Sequence, residues 1–202
     1  MPSITRSTAA DVDEPLTVEE LKSQIRADHD DEDVILEMYI RAARQVLEIE
    51  YDTALVPTTC VLRLDRFPQD GCYGDIELRI KNVTSVTSIA YTDTNGANQT
   101  LSASNYTVNI YDTPALIRPA YGLAWPSTRD VMNAVTVTFV AGYATPDLVP
   151  ATTKAYLQLL AAEKYDKREL TVTGATIARV PGFESLMISE RWGAYRSVAD
   201  AR

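Results

Sequence analysis

The chain is poor in the groups that most often carry chemistry. Its 202 residues hold one histidine, two cysteines and three phenylalanines. Cys60 and Cys72 alone make no disulfide framework, so a reduced, intracellular setting is expected. No phosphate-binding loop, dinucleotide fingerprint, hydrolase elbow or H-E-x-x-H zinc pattern occurs anywhere, and each of those chemistries needs its residues at fixed spacing. No apolar run approaches the ~20 residues of a membrane helix. The opening MPSITRSTAADVDEP has no apolar core, so no secretory signal is expected. The sequons at Asn82, Asn98 and Asn105 therefore read as chance in Thr/Ser-rich sequence. Positive charge is also scarce: 19 Lys+Arg stand against 28 Asp+Glu, a net −9. A protein that grips phosphates needs a basic face, and this balance argues against one.

What is present divides along the chain. Residues 1–50 carry 13 acids and 5 bases, whereas residues 51–202 carry 15 and 14, so the acidity belongs to the N-terminal quarter. Residues 1–15 are polar, lack periodicity and end in Pro15; they read as a flexible arm. Thr17-x-x-Glu20 is a capping box, with Leu16 and Leu21 as its hydrophobic staple. It predicts a helix from Thr17 to about Ala27 with Val18, Leu21 and Ile25 on its apolar stripe. A second helix follows the acidic run 28–33 and reaches about Tyr51. Its expected buried stripe is Ile35, Met38/Tyr39, Ala42, Val46 and Ile49, with Arg41, Arg44 and Glu48 on other faces.

Five acids in six residues at a helix start are expected to cap orphan amides and complement the dipole. The alternative, a metal loop, lacks the central Gly and the Glu at position 12 that an EF-hand requires. His29 lies in the same segment and reads as a solvated side chain, with a pH switch or ligand as the sharper alternative.

Near Val56-Pro57 the apolar period changes from 3.6 to 2. Alternating runs at 60–65 and 76–81, then 83–92, 105–110, 115–118 and 134–140, predict short antiparallel strands, with Asn95-Gly96 as a hairpin turn. Pro150 suits the first turn of a third helix, and AYLQLLAA (155–162) predicts one buried on most sides. Residues 170–182 read as loop, and 183–195 as a short amphipathic helix. The fold class is therefore α+β. A small helical bundle (16–56 and 147–170, two early helices and one late) receives an antiparallel β module at 57–146, a small barrel or sandwich, followed by a C-terminal segment at 171–202. No catalytic residue, metal site or cofactor is expected, and the enzyme hypothesis has no positive support. Between two strands lies PAYGLAWPSTRD (119–130). Its Tyr121 and Trp125 read equally as interface anchors or, for Trp125, as a lid over the β core.

The order of these pieces resembles the phage head–tail connector family of siphophage-like particles and gene transfer agents. The resemblance runs over about residues 16–170. It rests on LTVEELKSQIRADHDDED at 16–33, IRAARQVLE at 40–48, LRLDRFP at 62–68, and VTSVTSIAYTDTNGANQTLSASNYTV at 83–108. PALIRPAYGLAWPSTRDVMNAVTVTFVAGY at 114–143, the most specific, and VPATTKAYLQLLAAEKYDKRE at 149–169 complete it. Arg79-Ile80-Lys81-Asn82 stands where the family has a Pro-rich turn, and Glu163-Lys164-Tyr165 where it often has His-Trp-Tyr.

The resemblance implies a structural protein of a virion neck: a homo-oligomeric ring, expected to be dodecameric, beneath the portal. Such a ring extends the DNA channel and docks a stopper or tail protein, with double-stranded DNA as transiting cargo and no membrane partner. By the same analogy Leu186, Met187, Trp192 and Tyr195 are expected to face the portal protein. Asp28, Asp30, Asp31, Glu32, Asp33 and Glu37 are expected at the lumen or its rim. Arg26, Arg41, Arg44, Tyr121 and Trp125 are expected at contacts between subunits. The nearest competing roles are a stopper or tail-completion protein, then a small-ligand module or a packaging-associated enzyme.

Overall fold

A computed structural model describes residues 3–9, 11–68 and 74–167. The chain forms two compact units, one comprising the residues up to Val12 together with Val56–Tyr143, the other Asp13–Leu55 with Ala144 onward. The fold is mixed α+β, as the two periodicities predict.

The first unit is built from strands β1 (Ser3–Thr8), β2 (Thr58–Leu64), β3 (Ile76–Leu78), β4 (Val83–Thr92), β5 (Asn98–Thr100), β6 (Tyr106–Asn109), β7 (Ala115–Pro119) and β8 (Val135–Ala141). They make a five-stranded antiparallel sheet in the order β1-β2-β8-β4-β5 and a three-stranded sheet β3-β7-β6. Alternation places β8 at the centre: Val135, Val137, Phe139 and Ala141 are buried while the Thr and Val between them are half-buried. Cys60 and Val86 pair with Phe139 on either side, and Leu62 and Ile89 with Val137. In the smaller sheet Ile76 pairs with Ile117 and Leu78 with Ala115, all four buried.

Two local devices fix the strand entries. Asn82, at φ 60°, turns the chain into β4 and accepts the Gly142 amide at 2.8 Å; this is where a Pro-rich turn was the family expectation. In the β4–β5 hairpin, the Asp93 carboxylate accepts from the Asn95 and Ala97 amides (2.9 and 3.0 Å) around Gly96 at φ 89°.

The N-terminal arm departs from expectation. Ser3–Thr8 is a strand paired along its length with β2. None of its side chains is fully buried, so there was no apolar alternation to read; the backbone ladder and contacts such as Arg63 Nη1 to Thr5 Oγ1 (2.9 Å) hold it.

The second unit contains α1 (Val18–Ile25), α2 (Asp33–Glu50) and α3 (Ala151–Asp166). The capping box forms as expected: Glu20 N donates to Thr17 Oγ1 at 3.2 Å, and Thr17 N to Glu20 Oε2 at 2.8 Å. Leu16, Leu21, Leu36, Ile40, Ala43, Leu157 and Ala161 make the core, and Tyr51 meets Tyr156 edge-on at 6.3 Å.

The expected burial face of α2 is wrong. Leu36, Ile40, Ala43 and Leu47 are buried together with Arg44 and Glu48, whereas Ile35, Met38, Val46 and Ile49 are exposed. Both sets satisfy helical spacing, because α2 has an apolar stripe on each of two opposed faces. Packing chose the leucine-bearing one, whose flanking Arg44 and Glu48 made it look like a solvent face in sequence.

Candidate interaction surfaces

The helical unit uses its charges internally. Arg44, 3% exposed, donates through Nε and Nη2 to the two carboxylate oxygens of Glu14 (2.6 and 3.1 Å) and through Nη1 to Glu48 Oε2 (2.8 Å). The other Glu48 oxygen accepts the Leu55 amide at 2.8 Å. Burial alone would lower the Arg44 pKa; the two carboxylates more than offset it and the guanidinium is held above its ordinary value. The network ties the segment before α1 and the chain leaving α2 to the middle of α2. Arg44 is thus absorbed into the fold, contrary to the expectation that it meets a neighbour's acids. The spacing of Arg44 and Glu48 was the available signal, since i,i+4 pairs lie together on a helix; nothing local pointed to Glu14. Arg41 is half-exposed, 3.7 Å from Glu14, and Arg26 is exposed at the left-handed end of α1, φ 58°.

The acidic segment is organised around a lysine rather than around helix amides. Lys22 Nζ lies 2.6 Å from Asp30 and 2.5 Å from Asp33. Hydrogen bonds that Lys22 donates to the two aspartates raise its pKa, and that of Asp30 is lowered chiefly by Lys22. The N-cap residue Glu32 makes no side-chain cap bond; its carboxylate accepts from Tyr165 Oη at 2.5 Å. The capping half of the expectation is therefore corrected, while Asp33 in the first turn of α2 still complements its dipole; the carboxylates clamp α1 to the α2 start and α2 to α3. Asp28, His29, Asp31 and Glu37 face solvent. Among the described residues no group of three His, Cys, Asp or Glu is placed to hold a metal ion.

In the β unit Trp125 is the lid. Its ring stacks on Phe67 at 4.8 Å and 6°, Phe67 meets Tyr91 at 5.7 Å, and the indole N–H donates to Gly74 O at 2.6 Å. The segment 120–133 is pinned further by Arg129 N to Thr92 O (3.1 Å), Asn133 N to Asp65 Oδ1 (2.9 Å) and a Thr128–Asp93 bridge. Tyr121, by contrast, is wholly exposed, with Leu123 and Met132 also turned to solvent. Tyr121 and Leu123 border an open groove of about 630 Å³ whose wall includes Asn109, Asp112 and Arg118. Arg118 makes a two-pronged bond to Asp75 (2.8 and 2.7 Å), which holds the Asp75 carboxyl below its usual range. Leu186, Met187, Trp192 and Tyr195 lie outside the described residues.

The surfaces, then, are two well-braced units that present apolar and acidic side chains; among the described residues no group of His, Cys, Asp or Glu is gathered to hold a metal ion. The model of the phage gp6-like head-tail connector protein family matches residues 15–113, so this part of the chain is similar to that family. Solved structures extend the likeness to the whole fold. A chain from the virion of a native gene transfer agent particle is 26% identical, with 93% of this chain and 94% of that one covered and a TM-score of 0.73. A chain from the neck of an empty gene transfer agent particle, computed with C6 symmetry, is 24% identical over 94% and 95%, with a TM-score of 0.73. One from the neck of a native particle with C12 symmetry is 22% identical over 94% of each chain, with a TM-score of 0.66. No curated protein matches.

Proposed function

We propose that the chain is a structural head–tail connector of a tailed, phage-like particle, acting in the neck as one subunit of a ring that extends the DNA channel below the portal and receives the stopper or tail protein. The observation that carries this reading is the family match over 15–113 together with a shared fold across almost the whole length of a gene transfer agent virion chain. The symmetric necks in which related folds occur support a ring. The reading is non-enzymatic.

Charge fits the role. DNA carries about one negative charge per ~1.7 Å of axis, so a channel wall that is acidic or neutral does not hold it in transit. The exposed Asp28, Asp31 and Glu37, with the Lys22-bound Asp30 and Asp33 and with Glu32, are assigned to the lumen or its rim. Residues 171–202, with Leu186, Met187, Trp192 and Tyr195, are assigned to the portal.

Deleting the gene in the producing strain tests the reading. DNA-filled heads without attached tails are expected, with complementation restoring whole particles. Particles that remain tailed and infectious or transducing would refute it.

A further inference from the structure

Of the stripe that sequence periodicity placed in the core, Ile35, Met38, Val46 and Ile49 are exposed and Tyr39 and Ala42 half-buried. At about 100° per residue, Ile35, Met38, Ala42, Val46 and Ile49 fall within about 80° of arc on α2 and run for about 21 Å along it. Met38 is 56% exposed and Ile49 72%, with Val34 at 80% on the margin. The opposite face is already buried against the core of its own unit. An apolar stripe of this length on a braced helix is what a docking surface looks like before it is covered.

A second exposed apolar set lies on the other unit. Tyr121 and Leu123 border one groove, and Met132 is exposed further along the same segment 120–133, which Trp125, Thr128, Arg129 and Asn133 pin at four points. A surface held in place before binding loses little entropy on association.

We propose that these two surfaces are the two sides of one interface between copies of this chain: the α2 stripe of one copy receives the Tyr121–Leu123 groove edge of the next. This rests on the ring reading above. A closed ring uses heterologous contacts, so each copy must carry two different, mutually complementary patches, and one apolar patch stands on each unit. Charge selects this pairing over α2 against α2. The helical unit, 13–55 with 144–202, carries 20 acids and 12 bases, whereas the β unit, 1–12 with 56–143, carries 8 and 7. Two helical units pressed together would set like charge against like; the β unit brings a nearly neutral face. Arg41, half-exposed, lies on α2 near the stripe, and Arg129 is exposed in the segment 120–133.

The test places a photo-crosslinking benzoylphenylalanine at position 38 of the full chain, irradiates purified particles and maps the products. A covalent dimer joining position 38 to residues 120–132 of a second copy is expected. A crosslink to α2 of a second copy, to another neck protein, or to residues 168–202 of the same chain would overturn the pairing, as would no crosslink in particles that contain the chain. Absence of the chain from the particles would instead overturn the connector reading. In parallel, the double variant Met38→Glu/Ile49→Glu should melt within about 2 °C of wild type, since both sites are exposed, yet enter particles at least about tenfold less. Wild-type incorporation of the folded variant would overturn the interface.

Discussion

Arg44→Ala is the sharpest test of how the helical unit is held. The substitution removes a guanidinium that is 3% exposed and lies between Glu14 and Glu48. Removing one partner of a buried ion pair costs about 3–5 kcal/mol, because the remaining charge stays buried and uncompensated. Two features place the cost at the lower end. Glu14 keeps 18% side-chain exposure and can rehydrate, and Glu48 retains the Leu55 amide. A loss of about 3 kcal/mol follows.

With a urea m-value of about 2 kcal/mol/M, the midpoint of helix unfolding followed at 222 nm should fall by about 1.5 M. Arg44→Met restores the volume but not the charge and should recover little. Arg44→Met combined with Glu48→Gln and Glu14→Gln, which removes all three charges, should recover at least half of the loss. A double-mutant cycle of Arg44→Ala with Glu14→Gln should show coupling above about 1 kcal/mol. An Arg44→Ala protein within about 0.5 kcal/mol of wild type would refute the buried network, since that is the behaviour of a surface pair.

Three further outcomes are expected in the β unit. Trp125→Ala loses the Phe67 stack and the bond to Gly74 O and should cost about 2–3 kcal/mol, less than for a fully buried Trp; Trp125→Phe should keep most of the stack and cost about 1 kcal/mol, both read by thermal melts. Gly142→Ala would place a Cβ against the Val56 carbonyl at a residue with φ 112°, so chemical denaturation should show a loss above about 3 kcal/mol. The Asp75 carboxyl, lowered by its bond to Arg118, stabilises the fold above the unfolded value of about 3.9, and that contribution is lost as pH falls through the folded value. Asp75→Asn should therefore flatten the acid limb of the stability curve below about pH 4, by less than about 1 kcal/mol because Arg118 is half-exposed.

Local rules explain which parts of this fold were legible. The Thr17–Glu20 cap, the Asn95-Gly96 hairpin and the alternation of β8 are set by residues close in sequence, and each forms as its chemistry dictates. Strand β1 escaped because its pairing is a backbone ladder between residues some 55 positions apart, with no buried side chain to mark it. The face of α2 escaped because two apolar stripes share one helix, and only the tertiary partner decides which is covered. The same ambiguity hid Arg44, whose burial depends on Glu14, 30 residues away. The Trp125 segment left two readings open, and the structure divides them between neighbours: Trp125 is the lid and Tyr121 the exposed side chain. The resemblance to head–tail connectors rests on the order of motifs along the chain and on no reactive group.

Electron cryo-microscopy of purified particles tests the central claim most directly. With the β unit and the helical unit fitted as separate bodies, the account predicts this chain as a ring in the neck, immediately below the portal. Density for it elsewhere in the particle, or a neck complete without it, would contradict the account.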